Sequence, residues 1–246
     1  MVLLAVVATP AVATTVTESP AADTVDVGSE VDVTYTLTDL YSATSDNWTL
    51  RVSTELAQPT WTIATYDNQG NQIGDNRTVT ESNFTQAIGG STTKVVIRLQ
   101  GTVERPANFT YQPAQNVTLA TFDRVQGNAV TDIKTDTARP ETTDSRQARN
   151  AIENASDAIE NASDAGAGVS GAKETLQSAI DAYNGENFDN AATLAEEAET
   201  KAQNAKQSTE QQNTLLLVGA GIVVLLLLAG GVYWYLNRGE EYDELG

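Results

Sequence analysis

The chain has 246 residues, 14 of them basic and 33 acidic, and a formal net charge of -19. This charge disfavours nucleic acid as a partner, because phosphates would be repelled. Cysteine and histidine are absent, which excludes disulfides, thiol nucleophiles, Ser-His and Cys-His catalysis, and zinc sites built from those residues. We therefore expect no enzyme, no cofactor and no metal. The composition does not exclude a carboxylate pair of the kind that catalyses glycoside hydrolysis.

The acidic residues are spread along the chain, and only five residues are lysine. Dispersed acid with little lysine is typical of proteins from salt-loving organisms, because high ionic strength screens the self-repulsion. The alternative is an ordinary acidic ectodomain.

Residues 1–13 are predicted to be a signal peptide. They combine a short apolar core with Ala11-Val12-Ala13, which fits the small-residue pattern before a cleavage site. The usual basic segment is missing, which indicates a start codon placed too far downstream. The alternative is a buried first strand.

Residues 14–137 are predicted to form a β-sandwich domain. Apolar side chains alternate with polar ones from residue 30 to 38, as in a strand with one buried face. Similar stretches give about seven strands, which is typical of two antiparallel sheets. Asp67 to Asn71 has the residues of a tight hairpin turn. A Ca²⁺ site there, with Asp75 and Asn76 as further ligands, is the less favoured interpretation because the EF-hand spacing is absent.

The stretch from Val27 to Leu37, Val-Gly-Ser-Glu-Val-Asp-Val-Thr-Tyr-Thr-Leu, resembles the opening strands of Ig-like domains on archaeal surface proteins. The resemblance implies an Ig-like sandwich of the S-layer type. It also implies a single-pass cell-surface protein of a halophilic archaeon.

Seven asparagines lie in Asn-X-Ser/Thr motifs without proline, the acceptor pattern for N-glycosylation. They are Asn47, Asn76, Asn83, Asn108, Asn116, Asn154 and Asn161. We expect a glycosylated surface, and the alternative is polar turn chemistry.

After a linker at 138–143, residues 144–213 are predicted to form a helical stalk. The heptad Ala-Ile-Glu-Asn-Ala-Ser-Asp occurs twice in succession, at 151–157 and 158–164. Its seam would be Ala148, Ile152, Ala155, Ile159 and Ala162, spaced as in packed helices. Asn154 and Asn161 would then point away from that seam.

Two further helices are expected in the stalk, the first ending at Gly185. Residues 182–191 resemble the turn between two tetratricopeptide-type helices. The stalk is predicted to be an antiparallel three-helix bundle, or a hairpin with a coiled coil. Its thin alanine core would favour self-association or a partner helix.

Residues 214–236 are predicted to be a transmembrane helix, because about 20 apolar residues cross a bilayer and this run carries no charge. Tyr233, Trp234, Tyr235 and Arg238 are expected at the membrane interface. Residues 237–246 would be a cytoplasmic tail below an extracellular head.

The expected function is that of a membrane-anchored extracellular structural, adhesive or protein-binding protein. Its partners would be the lipid bilayer and another surface or membrane protein. One alternative is an accessory subunit of a membrane transport or secretion complex. Another is a carbohydrate-binding module that stacks sugars on Trp48 and Trp61.

Overall fold

The computed structural model describes residues 14–20, 23–42 and 47–236, without the side chains of 212–224, 226, 230, 231 and 234–236. The chain divides into two compact units. The first, here called the β unit, ends at Arg146, and the second, the helical unit, begins at Gln147. The predicted signal peptide and the predicted tail lie outside the described residues.

Ten strands are described in the β unit, in two five-stranded sheets. One sheet has the order β1-β3-β8-β5-β6, and the other has the order β2-β10-β9-β4-β7. All neighbours pair antiparallel except β2 and β10, which are parallel. The strands are β1 (Thr15–Ser19), β2 (Thr24–Asp26), β3 (Glu30–Thr38), β4 (Trp48–Ser53), β5 (Ala57–Tyr66), β6 (Arg77–Val79), β7 (Asn83–Ile88), β8 (Lys94–Thr102), β9 (Val117–Gln126) and β10 (Ala129–Glu141).

The two sheets pack face to face through their alternating apolar side chains. Tyr35 on β3 meets Phe122 on β9 edge to face, with ring centroids 4.9 Å apart. Trp61 on β5 meets Phe84 on β7 in the same way at 5.3 Å. Edge-to-face pairs of this kind stabilise a core beyond the area that they bury. A close approach in the first sheet requires Gly101, because a Cβ there would lie 2.9 Å from Leu56.

The last strand leads directly into the first helix through a cluster of charged side chains. Glu141, whose side chain is 3% exposed, accepts hydrogen bonds from Arg139 Nε and Arg146 Nε, both at 2.8 Å. Arg146 also pairs with Asp26 on β2. The end of β10 and the start of the helix therefore occupy residues 138–143, where a linker was predicted.

Three helices follow, namely α1 (Thr143–Asp164), α2 (Ser170–Asn184) and α3 (Phe188–Leu236). Thr142 and Ser145 cap the start of α1, each hydroxyl accepting from the other residue's backbone N–H. The five seam residues expected on α1 are all buried. Gly185 follows α2 as expected, with φ -85°. The left-handed backbone conformation that often ends a helix is adopted by the next residue, Glu186, whose φ is 58°.

Helices α1, α2 and α3 all contribute to one small apolar cluster. Most of its members are alanine. They are Ile159, Ala162, Ala167, Val169, Ala172 and Ala202.

The structure corrects the predicted fold class of an all-β Ig-like sandwich, a helical stalk and one transmembrane helix. The described residues form ten strands in two sheets, followed by three helices. The predicted helical-bundle or coiled-coil stalk is not evident in the described residues, where α1 begins two residues after the end of β10.

The prediction of a membrane-spanning helix is also contradicted. Within the residues that were described, no helix is long and apolar enough to cross a bilayer. From Phe188 to Gln211, α3 carries acidic, amide and lysine side chains along its length. The single-pass membrane location inferred from residues 214–236 is corrected with it.

Replacing Glu141 with Gln should destabilise the β unit by about 2 kcal/mol, because two guanidinium groups would lose a buried anionic acceptor. The measurement is the free energy of urea-induced unfolding. Glu197→Gln is the matched control, since Glu197 pairs with Lys201 at 2.8 Å but is 53% exposed. It should change the free energy by less than about 0.5 kcal/mol. Equal effects of the two substitutions would contradict a special role for the buried cluster.

Candidate glycosylation sites and an interhelical groove

The side chains of all seven predicted acceptor asparagines are exposed. Five belong to the β unit, where they lie in loops or at strand ends, and two lie on α1. Asn47 precedes β4, Asn76 precedes β6, Asn83 begins β7, Asn108 lies between β8 and β9, and Asn116 precedes β9. Asn154 and Asn161 lie on α1. Each asparagine is therefore placed where a bulky polar group can be added without disturbing the core.

Two of these asparagines take part in local hydrogen bonds. Asn76 Oδ1 accepts from Gln72 Nε2 at 2.8 Å, and Asn108 Oδ1 accepts from Gln115 Nε2. Both bonds use the carbonyl oxygen of the asparagine, so the amide nitrogen, which is the atom that N-glycosylation modifies, is not consumed by them. Polar turn chemistry and glycosylation are thus compatible at these two positions.

A groove of about 440 Å³ separates α1 from α3 in the helical unit. It is lined by Asn154, Asp157, Ala158, Asn161, Glu199, Gln203 and Lys206. On α1 the other lining residues follow Asn154 at three, four and seven positions. On α3 they follow Glu199 at four and seven positions. Each set therefore forms one stripe along its helix. Asn154 and Asn161 are exposed, and both line this groove together with residues of α3.

Sequence reasoning identified Asn154 and Asn161 by their motif and missed the groove residues of α3. The spacing of Glu199, Gln203 and Lys206 resembles any solvated helix face, so the sequence carries no signal that sets them apart. Gln203 Nε2 donates to Glu199 Oε1 at 2.7 Å and orders part of the groove wall.

Trp48 and Trp61 do not form a sugar-binding platform. Their exposed fractions are 4% and 0%. Trp48 Nε1 donates to the Leu40 carbonyl at 3.0 Å, and Trp61 Nε1 donates to the Glu81 carbonyl at 2.9 Å. Both indoles are core residues with their N–H groups satisfied, as the alternating pattern around them indicated.

The Asp67 loop is a hairpin turn held by its own side chains. Asp67 Oδ1 accepts from the backbone N–H groups of Asn71 at 2.8 Å and of Gln69 at 2.9 Å. These hydrogen bonds hold the pKa of the Asp67 carboxyl below its usual value, and the bond from the Asn71 backbone N–H has the largest effect on that pKa. No group of three or more potential metal-ligating carboxylates is found among the described residues.

A second polar cluster closes the sandwich where β1 approaches β10. Tyr35 Oη donates to Asp136 Oδ2 at 2.6 Å, and Lys134 pairs with Glu18 beside it. Burial, followed by the hydrogen bond to Asp136, raises the pKa of the Tyr35 hydroxyl far above its usual value. The sequence pattern predicted Tyr35 as a core residue but not its acidic partner.

Of the residues predicted at a membrane interface, Tyr233 is 72% exposed on α3. The side chains of Trp234 and Tyr235 and the whole of Arg238 lie outside the described residues.

No protein-family model and no curated protein sequence matches this chain. Among solved structures, it is similar to the sporulation control protein Spo0M of Bacillus subtilis, with 16% identity over 61% of this chain and 55% of that protein and a TM-score of 0.31. It is also similar to the N-terminal domain of the Streptococcus gordonii adhesin Sgo0707, with 10% identity over 52% of this chain and 32% of that domain and a TM-score of 0.37.

The chain thus spans about half or less of the length of these two neighbours.

The carboxyl of Asp67 should titrate below the ordinary aspartate value of about 3.9, as measured by NMR of the side-chain carboxyl carbon. Because the folded pKa is the lower one, the contribution of this carboxylate to stability is complete above the unfolded pKa and is lost as the pH falls through the folded pKa. Asn71→Ala should move the titration midpoint upward by removing the side-chain donor. A midpoint unchanged in that variant, or one above the ordinary value, would contradict the turn geometry.

Addition of monosaccharides or surface polysaccharide at millimolar concentration should leave the tryptophan emission of the β unit unchanged, because both of its indoles are sealed in the core. The measurement is a fluorescence titration of the full chain. The variant Leu225→Trp, which places an indole on an exposed position of α3, serves as a control for solvent effects of the sugar. A saturable shift in the native protein alone would restore the lectin hypothesis.

Proposed function

We propose that this chain is a non-catalytic surface protein of structural or adhesive type, N-glycosylated on its exposed asparagines, that binds another protein through its β unit. The observation that carries the proposal is that seven acceptor asparagines, found from sequence alone, are all exposed. Modification would join each amide nitrogen to the anomeric carbon of a glycan donated by a lipid-linked glycosyl phosphate. The phosphate is the leaving group, and the amide proton is released.

The acceptor asparagines leave one side of the β unit free. None lies on β1, β2, β3 or β10. Strands β1 and β3 are the first two of one sheet, and β2 and β10 are the first two of the other. We call these four strands the sequon-free side. Glycans would cover the loops and the opposite edge, so a protein partner would dock on the sequon-free side.

Ion pairs order part of that side. Lys134 on β10 pairs with Glu18 on β1, and Asp32 on β3 pairs with Arg98 on the neighbouring strand β8.

A second candidate is assembly through α3, either with a second copy of the chain or as a subunit of a larger complex. Leu225, Leu227, Leu228, Val232 and Tyr233 each expose more than half of their surface there, and an exposed apolar patch commonly marks an interface. Replacing Leu225 and Leu228 with Glu and measuring the mass of the native particle by light scattering would test this. A particle mass unchanged by the substitutions would eliminate α3 as the contact.

The proposal is tested first by peptide mapping of the protein isolated from its native cells. We expect a glycan mass on several of the seven asparagines and on no asparagine outside the motif. An entirely unmodified protein would overturn the glycoprotein part of the proposal.

Thr135→Asn creates the acceptor motif Asn-Asp-Thr on β10 and should place a glycan on the sequon-free side. The glycan would block a partner from contacting that side. Binding of the protein to its own cell envelopes should therefore fall at least about tenfold. Binding would be measured by co-sedimentation in high salt. The control is Thr135→Asn with Thr137→Val, which carries the same asparagine without its acceptor motif and should bind normally. Equal binding by a fully glycosylated Thr135→Asn protein would refute docking on this side.

A further inference from the structure

We propose that glycans on Asn154 and Asn161 lie in the groove between α1 and α3 and hold the two helices together. The inference rests on the proposed glycosylation and goes beyond it, because it assigns these two glycans a structural role inside the protein. It starts from the finding that both asparagines line the same groove, whereas none of the other five is among its lining residues.

The spacing of the two asparagines fits the groove. Seven residues of α-helix correspond to about 10.5 Å along the axis, so the two attachment points are about two turns apart on one stripe of α1. The volume of about 440 Å³ lies in the range of protein sites that take small molecules, roughly 300–1,000 Å³. The first sugar of each glycan can therefore enter the groove from its own end.

The lining chemistry is suited to sugar hydroxyls. Asp157 on α1 and Glu199 on α3 are acceptors, and Gln203 and Lys206 on α3 are donors. Ala158 adds a small apolar surface against which the C–H face of a sugar can pack. The bond from Gln203 to Glu199 fixes one carboxylate in place before a ligand arrives.

The side chains of Asn154 and Asn161 are not engaged elsewhere. Within the described part of the chain neither forms a hydrogen bond or an ion pair, in contrast to Asn76 and Asn108. Their amide nitrogens are thus available for glycan attachment at the groove wall.

Covalent attachment makes weak contacts sufficient. A tethered sugar is present at an effective concentration in the millimolar range or above, so a few hydrogen bonds to α3 are enough to keep it in place. Those bonds span from α1 to α3 and therefore oppose the separation of the two helices.

The test removes the glycans without touching the groove. Ser156→Ala and Ser163→Ala together destroy both acceptor motifs, and neither serine lines the groove. Both substitutions raise helix propensity, so any loosening of the helices must come from the missing glycans. Amide hydrogen exchange of the full glycosylated chain should become about tenfold faster in α1 and in residues 188–211 of α3. Thr78→Ala with Thr85→Ala, which removes the motifs at Asn76 and Asn83, should leave exchange in both helices unchanged.

The groove wall is tested by Asp157→Ala and Lys206→Met, which remove one acceptor and one donor. In the glycosylated chain they should accelerate helix exchange severalfold, because bonds to the sugar are lost. In the chain made in a host without N-glycosylation they should have no such effect. The glycan and the groove are then coupled as in a double-mutant cycle.

The outcomes separate this inference from the proposed function. If Asn154 and Asn161 are unmodified while other motifs carry glycans, the groove inference fails and the glycoprotein proposal stands. If they are modified but their removal leaves exchange unchanged, the groove inference also fails. If no asparagine in the chain carries a glycan, both are wrong.

Discussion

The face-to-face packing of two sheets is the constraint on which the rest of the β unit depends. Tyr35, Trp61 and Phe122 fill the space between the sheets and are essentially without solvent exposure. Because the chain has no cysteine, this packing and the hydrogen bonds around it must stabilise the unit without disulfides. The filled core leaves the glycosylation motifs of the β unit in loops and at strand ends, where their asparagines are exposed.

The polar groups that do enter the interior connect elements that apolar packing alone does not fix. Strand β10 buries little apolar surface, yet Tyr35 bonds Asp136 on it, and Glu141 at its end is enclosed by two arginines. Arg124 on β9 is buried beside Trp48, 4.9 Å from its ring, and its guanidinium donates to Thr14. Buried charged bonds of this kind are sensitive to geometry and so specify the register of the strands that carry them.

The elements that the sequence predicted correctly are those in which one face is apolar. The alternation at 30–38 predicted β3, and Val31, Val33, Tyr35 and Leu37 are indeed the buried side chains. The same holds for the seam of α1. By contrast, β10 was taken in part as a linker, because most of its 13 residues are exposed or half-buried and show no alternation. Strand β7 contributes only Phe84 and Ile88 to the core, so its pattern is too sparse to detect.

Contacts between helices could not be predicted from sequence periodicity, for a different reason. A heptad pattern states which residues of a helix share a face, but not which residues of another helix lie opposite. Asn154 and Asn161 were therefore placed on the outer face of α1, while the stripe of α3 that completes the groove was not foreseen. The predicted membrane span had a similar basis, since it was inferred from local hydropathy alone, and the described part of α3 does not support it.

The composition of the helical unit explains why glycans that link α1 to α3 would matter there. Its shared apolar cluster is mostly alanine, and burial contributes only about 0.8 kcal/mol per CH₂ group, so each alanine contact is weak. Acidic side chains line the groove from both helices, Asp157 on α1 and Glu199 on α3, together with Lys206 on α3. Sugar hydroxyls can donate to both carboxylates without adding charge. A neutral group attached to one helix and hydrogen-bonded to the other is thus the kind of ligand that this acidic, alanine-packed interface favours.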